Sequence, residues 1–355
     1  MMRRDDTSSS LLQQSSSSRS SSDDSAVFLT PAQRKLLAKY HSKRPPLDKY
    51  DVGPMLGKGS SGTVRLLRNP KTGARYACKQ VALPRNDRRN IADSIRDEAL
   101  LEVYALCGLK HPGIAGLVEY HESEHAVYIL TELLQGDDLR KAVAERGSLP
   151  EEDARSITQR LLEAVRYMHS QGVVHRDLKL ENIALADESD LSSVKIIDFG
   201  LACRSMTTST DAGSPLMAKI CGSPAYVAPE VVRTLDPAAS VSQRLLYGKE
   251  CDLWSMGVTL FIMLSGYFPF DGLSVHQVLE QVAIADFDFG RDPVWELVSP
   301  EAKDLVRGLL TCNPAARLTV EEALQHPWLN DCKIRTADDD MLIHDPLAQR
   351  IRHNK

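Results

Sequence analysis

No two of the seven cysteines in this 355-residue chain are spaced as CxxC, and none clusters with histidine in a ligand-like pattern. That excludes a disulfide framework and an evident zinc site, and it points to a reducing, intracellular compartment. Long apolar runs are missing as well. The longest, LWSMGVTLFIML at 253–264, is shorter than the roughly 20 residues a bilayer crossing needs. The N-terminus has no apolar stretch of the secretory kind. An excess of positive charge is lacking too: the formal net charge is −5, which gives no reason to expect a nucleic-acid partner. These absences leave, as expectations, a soluble chain of the cytosol or nucleus with no membrane partner.

What is present suits a globular protein. Hydrophobic residues make up 43% and charged residues 26%, and the length allows one large domain or two small ones. Residues 1–25 hold eleven serines and almost nothing that can be buried, so a disordered tail is expected there. PAQRKLLAKYHSKRPP (31–46) reads as a short basic helix ended by Pro45 and Pro46, taken here as solvated linker rather than docking element. An ordered domain is expected over 48–329. Its first part, to about residue 133, has short strand-like runs punctuated by Gly and Asn-Pro, then a helix-period segment at 91–108. From 134 onward helices dominate, as in EEDARSITQRLLEAVRYMHSQG with its acidic first turn and Gly stop. The fold class is α+β: a small β-rich lobe joined to a larger α-helical lobe, with a cleft between them. Residues 330–355 form a polar extension.

The stretch LGKGSSGTV comprises Leu56, Gly57, Lys58, Gly59, Ser60, Ser61, Gly62, Thr63 and Val64, and carries a GxGxxGxV pattern between two strand-like runs. Glycines let backbone N–H groups approach a phosphate closely. The hairpin context differs from the strand-to-helix turn of a dinucleotide fold, and no GK[ST] closes the loop. Lys79, flanked by apolar residues, needs an anion to justify its place. Glu102 on the helix-period segment is the matching carboxylate, with Glu98 one turn away as the competitor. VVHRDLKLEN (173–182) and IIDFG then add Asp177, Lys179, Asn182 and Asp198. Such a charge cluster fits no core role unless it binds metal and phosphate.

Taken in order, the Gly-rich loop, ACK, HRDLKLEN, DFG, APE (228–230), DLWSMGV and Arg317 resemble a eukaryotic protein kinase over about 280 residues. The resemblance implies a two-lobed kinase that uses ATP and Mg²⁺ on protein substrates. By it, Gly57, Gly59 and Gly62 cover the phosphates, and Lys79, paired with Glu102, contacts them. Asn182 and Asp198 hold the metal, Asp177 accepts the substrate hydroxyl proton, and Lys179 neutralises charge on the transferred group. Thr131 guards the back of the adenine pocket. Glu132 and Leu134 offer backbone hydrogen bonds, Asp138 faces the ribose, and Leu56, Val64, Ala77 and Ala184 sandwich the ring. The lysine two residues after the base, with CGSPAYVAPE, is similar to the serine/threonine branch. LFIMLSGYFPFDG and NPAARLTVEEALQHPWL resemble its calcium/calmodulin-dependent and checkpoint group. Asp138 and Glu181 imply a basic residue N-terminal to the phosphosite. A scaffold without activity is disfavoured because the lysine and both aspartates stand. A small-molecule phosphotransferase is disfavoured by APE and by Ile220, Pro224 and Val227, which suit a peptide.

Lys219 stands where many relatives carry a phosphorylated threonine, beside Ile220 and Cys221. Activity is therefore expected without a phosphate there, although Ser205, Thr207, Thr208, Ser209, Thr210 and Ser214 remain in the loop. The long connection at 233–248 reads as a passive surface loop. DDDMLIHDP argues against a calmodulin-binding helix, and a monomer is expected.

Overall fold

A computed structural model describes residues 29–59, 62–84, 89–204, 223–233 and 248–330. The serine-rich tail, Ser60 and Ser61, the loop sites from Ser205 to Cys221, most of the 233–248 connection and the segment after Asn330 lie outside the described residues.

The N-terminal lobe is a five-stranded antiparallel sheet: β1 (Asp51–Gly59), β2 (Gly62–Arg68), β3 (Arg75–Ala82), β4 (Leu117–Glu122) and β5 (Ala126–Glu132). Its spatial order is β1-β2-β3-β5-β4. Helix α3 (Arg89–Leu106) packs against one face through Leu100, Val103 and Tyr104, which join Val81, Val127 and Ile129. The other face buries Leu67, Cys78, Tyr128 and Leu130. Side chains on a strand alternate between faces, so Ala77 and Lys79 share one side. Their register partners Thr131, Ile129 and Val64 share it too, which gathers the expected adenine and phosphate contacts on one surface.

The linker reading of 31–46 does not hold. Thr30 caps helix α1 (Pro31–Leu37), with Gln33 completing a capping box, and the helix stops at Leu37 rather than at the prolines. Pro46 instead begins a second short helix, α2 (Pro46–Lys49). Leu29 and Leu37 are buried in the same cluster as α3. The charged periphery of this segment made it look solvated, whereas Leu37 is buried and Leu36 and Tyr40 pack on the same cluster.

The C-terminal lobe holds α4 (Leu139–Arg146), α5 (Glu151–Ser170), α6 (Pro229–Arg233), α7 (Glu250–Ser265), α8 (Val275–Ile284), α9 (Pro300–Leu309), α10 (Val320–Leu324) and α11 (Pro327–Asn330). Every residue of α7 from Cys251 to Leu264 is buried, so the chain's longest apolar run is a core helix. Short strands β6 (Val173–Val174) with β9 (Cys203–Arg204), and β7 (Ile183–Leu185) with β8 (Val194–Ile196), line the cleft side of this lobe.

One ion pair ties this lobe together. The Arg317 guanidinium donates to both Glu230 oxygens at 2.7 and 2.8 Å, to the Glu250 carbonyl at 2.7 Å and to the Thr311 carbonyl at 3.0 Å. Its side chain is fully buried, and it lies 5.2 Å from the Trp254 ring. Removing one partner of such a pair strands the other charge away from water. Arg317→Ala should therefore lower the unfolding free energy by about 3–5 kcal/mol, measured by urea denaturation.

Candidate active site

The two lobes meet at a charge cluster. Lys79 on β3 donates to Glu102 Oε1 and Oε2 at 2.9 and 2.8 Å, and to Asp198 Oδ1 at 3.0 Å. Glu102 is buried and Glu98 is exposed, so the competition between them resolves for Glu102. Burial acts to lower the Lys79 pKa, but the carboxylates of Glu102 and Asp198 outweigh it and hold the amine above its ordinary value. Burial likewise opposes the Asp198 charge, yet Lys79 and the Gly200 amide hold that carboxyl below the usual range. Gly200 must stay small. A Cβ there would lie 3.2 Å from Asp198 Oδ1, 3.3 Å from Lys79 Nζ and 3.5 Å from Glu102 Oε2.

Three residues of the segment after β6, joined by Ser223 from a later one, form the second cluster. Lys179 Nζ donates to Asp177 Oδ2 at 2.7 Å and to Ser223 Oγ at 2.9 Å. Asn182 Nδ2 donates to the Asp177 carbonyl at 2.8 Å and to its Oδ2 at 2.9 Å. The Ser223 amide donates to Asp177 Oδ1 over a long 3.2 Å. Asp177 Oδ2 is thus held from two sides, while Oδ1 keeps room for another donor. Ser223 was missed in the sequence, where only the CGSPAYVAPE stretch as a whole carried a signal.

A second missed residue anchors this loop. Asp252, fully buried at the start of α7, accepts from the amides of His175 at 2.9 Å and Arg176 at 2.8 Å, and pairs with His169 at 2.8 Å. Burial opposes its charge, but the His169 contact leads the effects that hold its pKa down. Arg176 has φ of 67°, a backbone state that non-glycine residues adopt at a cost, and Asp252 is what fixes it. An acid heading an otherwise apolar helix was the available sequence signal. His175 stacks edge-on against Phe199 at 4.9 Å, which seats the turn carrying Asp198.

The hinge between the lobes is clipped to β7. Gly136 donates to the Leu185 carbonyl at 3.0 Å, Leu185 donates to the Asp137 carbonyl at 3.1 Å, and Asp138 bridges Ala184. Leu134 follows β5 and is half-buried, as is Thr131, while Leu56 is exposed on β1. The Glu132 side chain is otherwise engaged, accepting from Lys195 at 2.8 Å and from the Gly116 amide at 2.8 Å. Asp138 Oδ1 caps α4 by accepting from the Lys141 amide at 2.8 Å, which commits part of the acceptor capacity that the ribose contact expected of it would use.

Among the described residues no group of three acidic, histidine or cysteine side chains converges as a metal cage. The residues present fit a hard cation of another kind. Asp198 keeps Oδ2 and Asn182 keeps its Oδ1, neither with a hydrogen-bond partner among the described residues, and two oxygen ligands plus phosphates are how Mg²⁺ is commonly held.

The glycines of β1 and β2 divide by their reasons. Gly62 has φ of 154°, and a Cβ there would sit 2.5 Å from the Gln80 carbonyl, so the hairpin itself requires glycine. Among the described residues, nothing lies within 4 Å of where a Cβ would stand at Gly57 or Gly59, so no described packing there requires glycine. Gly62→Ala should lower stability by about 1–3 kcal/mol. Gly57→Ala and Gly59→Ala should stay within about 0.5 kcal/mol of wild type while weakening nucleotide binding, as read by thermal melts with and without ATP.

A family model described as the protein kinase domain matches residues 50–329. The chain is 34% identical over 317 residues to calcium/calmodulin-dependent protein kinase type 1 of Macrobrachium nipponense, covering 89% of this chain and 84% of that protein. It is 38% identical over 285 residues to the type II delta subunit of Oryctolagus cuniculus, covering 80% and 49%. Over 290 residues it is 36% identical to a probable serine/threonine-protein kinase of Dictyostelium discoideum, covering 80% and 38%. The chain thus spans less than half the length of the last two relatives.

Proposed function

The chain belongs to the protein kinase family, and on that premise we propose that it transfers the γ-phosphoryl group of ATP to serine or threonine hydroxyls of proteins. The observation that carries this reading is the pair of completed charge clusters, one around Lys79 and one around Asp177, built from five separate elements. ATP would supply the phosphoryl group, and Asp198 and Asn182 would hold Mg²⁺, which would neutralise charge on the phosphates. Everything else falls to the chain. Lys79, kept protonated by its carboxylate partners, offers its ammonium to the phosphates. Asp177 takes the substrate hydroxyl's proton at Oδ1 while Lys179 and Asn182 fix its rotamer through Oδ2. Lys179 stands next to the same carboxylate, where negative charge builds during transfer. Gly57 and Gly59 leave space for the triphosphate under β1 and β2.

The relatives' printed names support the serine/threonine assignment. Two of them are named for calcium/calmodulin; the reading here leaves calmodulin out, on the strength of the acidic run after Asn330. The chain is taken as a monomer acting on protein substrates. A cytosolic or nuclear location is part of the same reading, supported by five described cysteines that are all free thiols. The test is phosphorylation of a serine peptide by purified full-length chain. Wild type should turn over, and Asp177→Ala should lose about 10²–10⁴-fold in kcat while still binding ATP. No turnover by wild type on any basic peptide overturns the proposal.

A preference for a basic residue N-terminal to the phosphosite rests on Glu181 more than on Asp138. Glu181 Oε2 is buried with no hydrogen-bond partner among the described residues, and its Oε1 lies 3.8 Å from Arg140 Nε. Arg140 is largely exposed and holds that oxygen loosely, so an incoming cation can displace it. Asp138 has one oxygen committed to its cap. In a peptide array Glu181→Gln should therefore cut kcat/KM about ten-fold for basic peptides, roughly 1.4 kcal/mol, and leave neutral peptides unchanged. Equal losses on both peptide sets would refute the assignment.

A further inference from the structure

Residues 29–49 precede the stretch that the kinase-domain model matches, yet they are tied into the molecule along its whole length. Leu29 and Leu37 are buried at 5% and 2% exposure, and Leu36 and Tyr40 pack on the same cluster as Leu100, Val103, Tyr104 and Cys107 of the α3 region. We propose that residues 29–49 are a positioning strap for the catalytic centre, holding α3 so that Glu102 stays on Lys79. The proposal rests on the kinase reading above.

Tyr40 joins the helix to the sheet. Its carbonyl accepts from the Tyr120 amide on β4 at 3.0 Å, and its hydroxyl accepts from the Gly108 amide, two residues beyond α3, at 3.2 Å. Ser42 donates its amide to the Tyr120 carbonyl at 2.7 Å, and Lys49 closes the strap on Glu119 at 2.6 Å. Arg204 adds a further hold, donating to the carbonyls of Tyr104 and Cys107 and lying 5.5 Å from the Tyr104 ring. The helix end that follows Glu102 is therefore held both by the strap and by Arg204.

Glu102 needs that grip. Its carboxylate is taken out of water, and outward movement of α3 would let it rehydrate, which competes directly with the Lys79 pair. The N-terminal half of α3 is the less deeply buried one: Ile91, Asp93 and Ser94 are exposed, and Ile95 packs only at the edge of the cluster. Covering the β4 edge would require only the His41 and Ser42 pairing. A capped helix upstream, with leucines driven into the α3 cluster, exceeds that task.

The test uses full-length chain, steady-state kinetics at saturating ATP and peptide, and a temperature well below every variant's melting point. Leu37→Ala should lower kcat at least five-fold and Tyr40→Phe at least two-fold, with peptide KM unchanged, and Leu37→Met should restore the rate. Leu305→Ala, a buried site in the C-terminal lobe, should keep kcat within two-fold despite a comparable fall in melting temperature. In a Glu102→Gln background, Leu37→Ala should add no further loss. Wild-type kcat in Leu37→Ala, or losses that multiply in the double variant, would overturn the strap. Amide hydrogen exchange separates the two readings: should wild type prove inactive, faster exchange at 99–107 in Leu37→Ala upholds the strap alone, and unchanged exchange sinks it. If Leu37→Ala does not fold, Tyr40→Phe, which removes one hydroxyl, carries the same comparisons.

Discussion

Charges removed from water must find one another, and the Lys79–Glu102–Asp198 cluster is where this chain meets that requirement. Each of the three comes from a different element: a strand of the sheet, the helix beside it, and the turn after β8. Lys79 is the partner both carboxylates share, so its loss would strand the buried Glu102 and unpair Asp198, and the cluster ties the sheet and α3 to the turn after β8. Apolar packing is non-directional and tolerates sliding; a lysine shared by two carboxylates within 3.0 Å does not.

The same logic recurs around the base. Asp177 sits in a loop with a left-handed Arg176, a conformation that local sequence disfavours. A buried acid 75 residues further along, Asp252, accepts from the amides on that turn and makes the conformation the stable one. The catalytic loop is thereby referred to α7, the most deeply buried helix, and through Arg317 and Glu230 to the segment after Ser223. Ser223 returns to Asp177 and Lys179 and closes the circuit. A reacting group held this way suits chemistry in which alignment and electrostatics supply the rate.

Much of this was legible beforehand. Strand and helix periods, the glycine loop and the order of HRDLKLEN, DFG and APE identified the architecture and the residues now found in contact. What was misread was the segment before residue 48, whose helix was taken as solvated because Leu29, Leu36, Leu37 and Tyr40 have meaning only once α3 is beside them. The choice between Glu98 and Glu102 was open for a related reason: both lie on nearby turns of one helix, and only packing tells which carboxylate is buried.

The sequence by itself pointed to the chemistry, since Asp177, Lys179 and Asn182 stand close enough along the chain to share one site once the turn that carries them is held. It also determined the two-lobed α+β class, because hydrophobic period is a local property. Tertiary structure alone decided which distant groups complete them: Ser223 on Lys179, Asp252 on the His175 turn, Tyr40 between Gly108 and Tyr120, and Lys195 on Glu132. Those contacts join residues from 44 to 80 positions apart, a separation across which backbone geometry carries no information and only the packed core sets the distance.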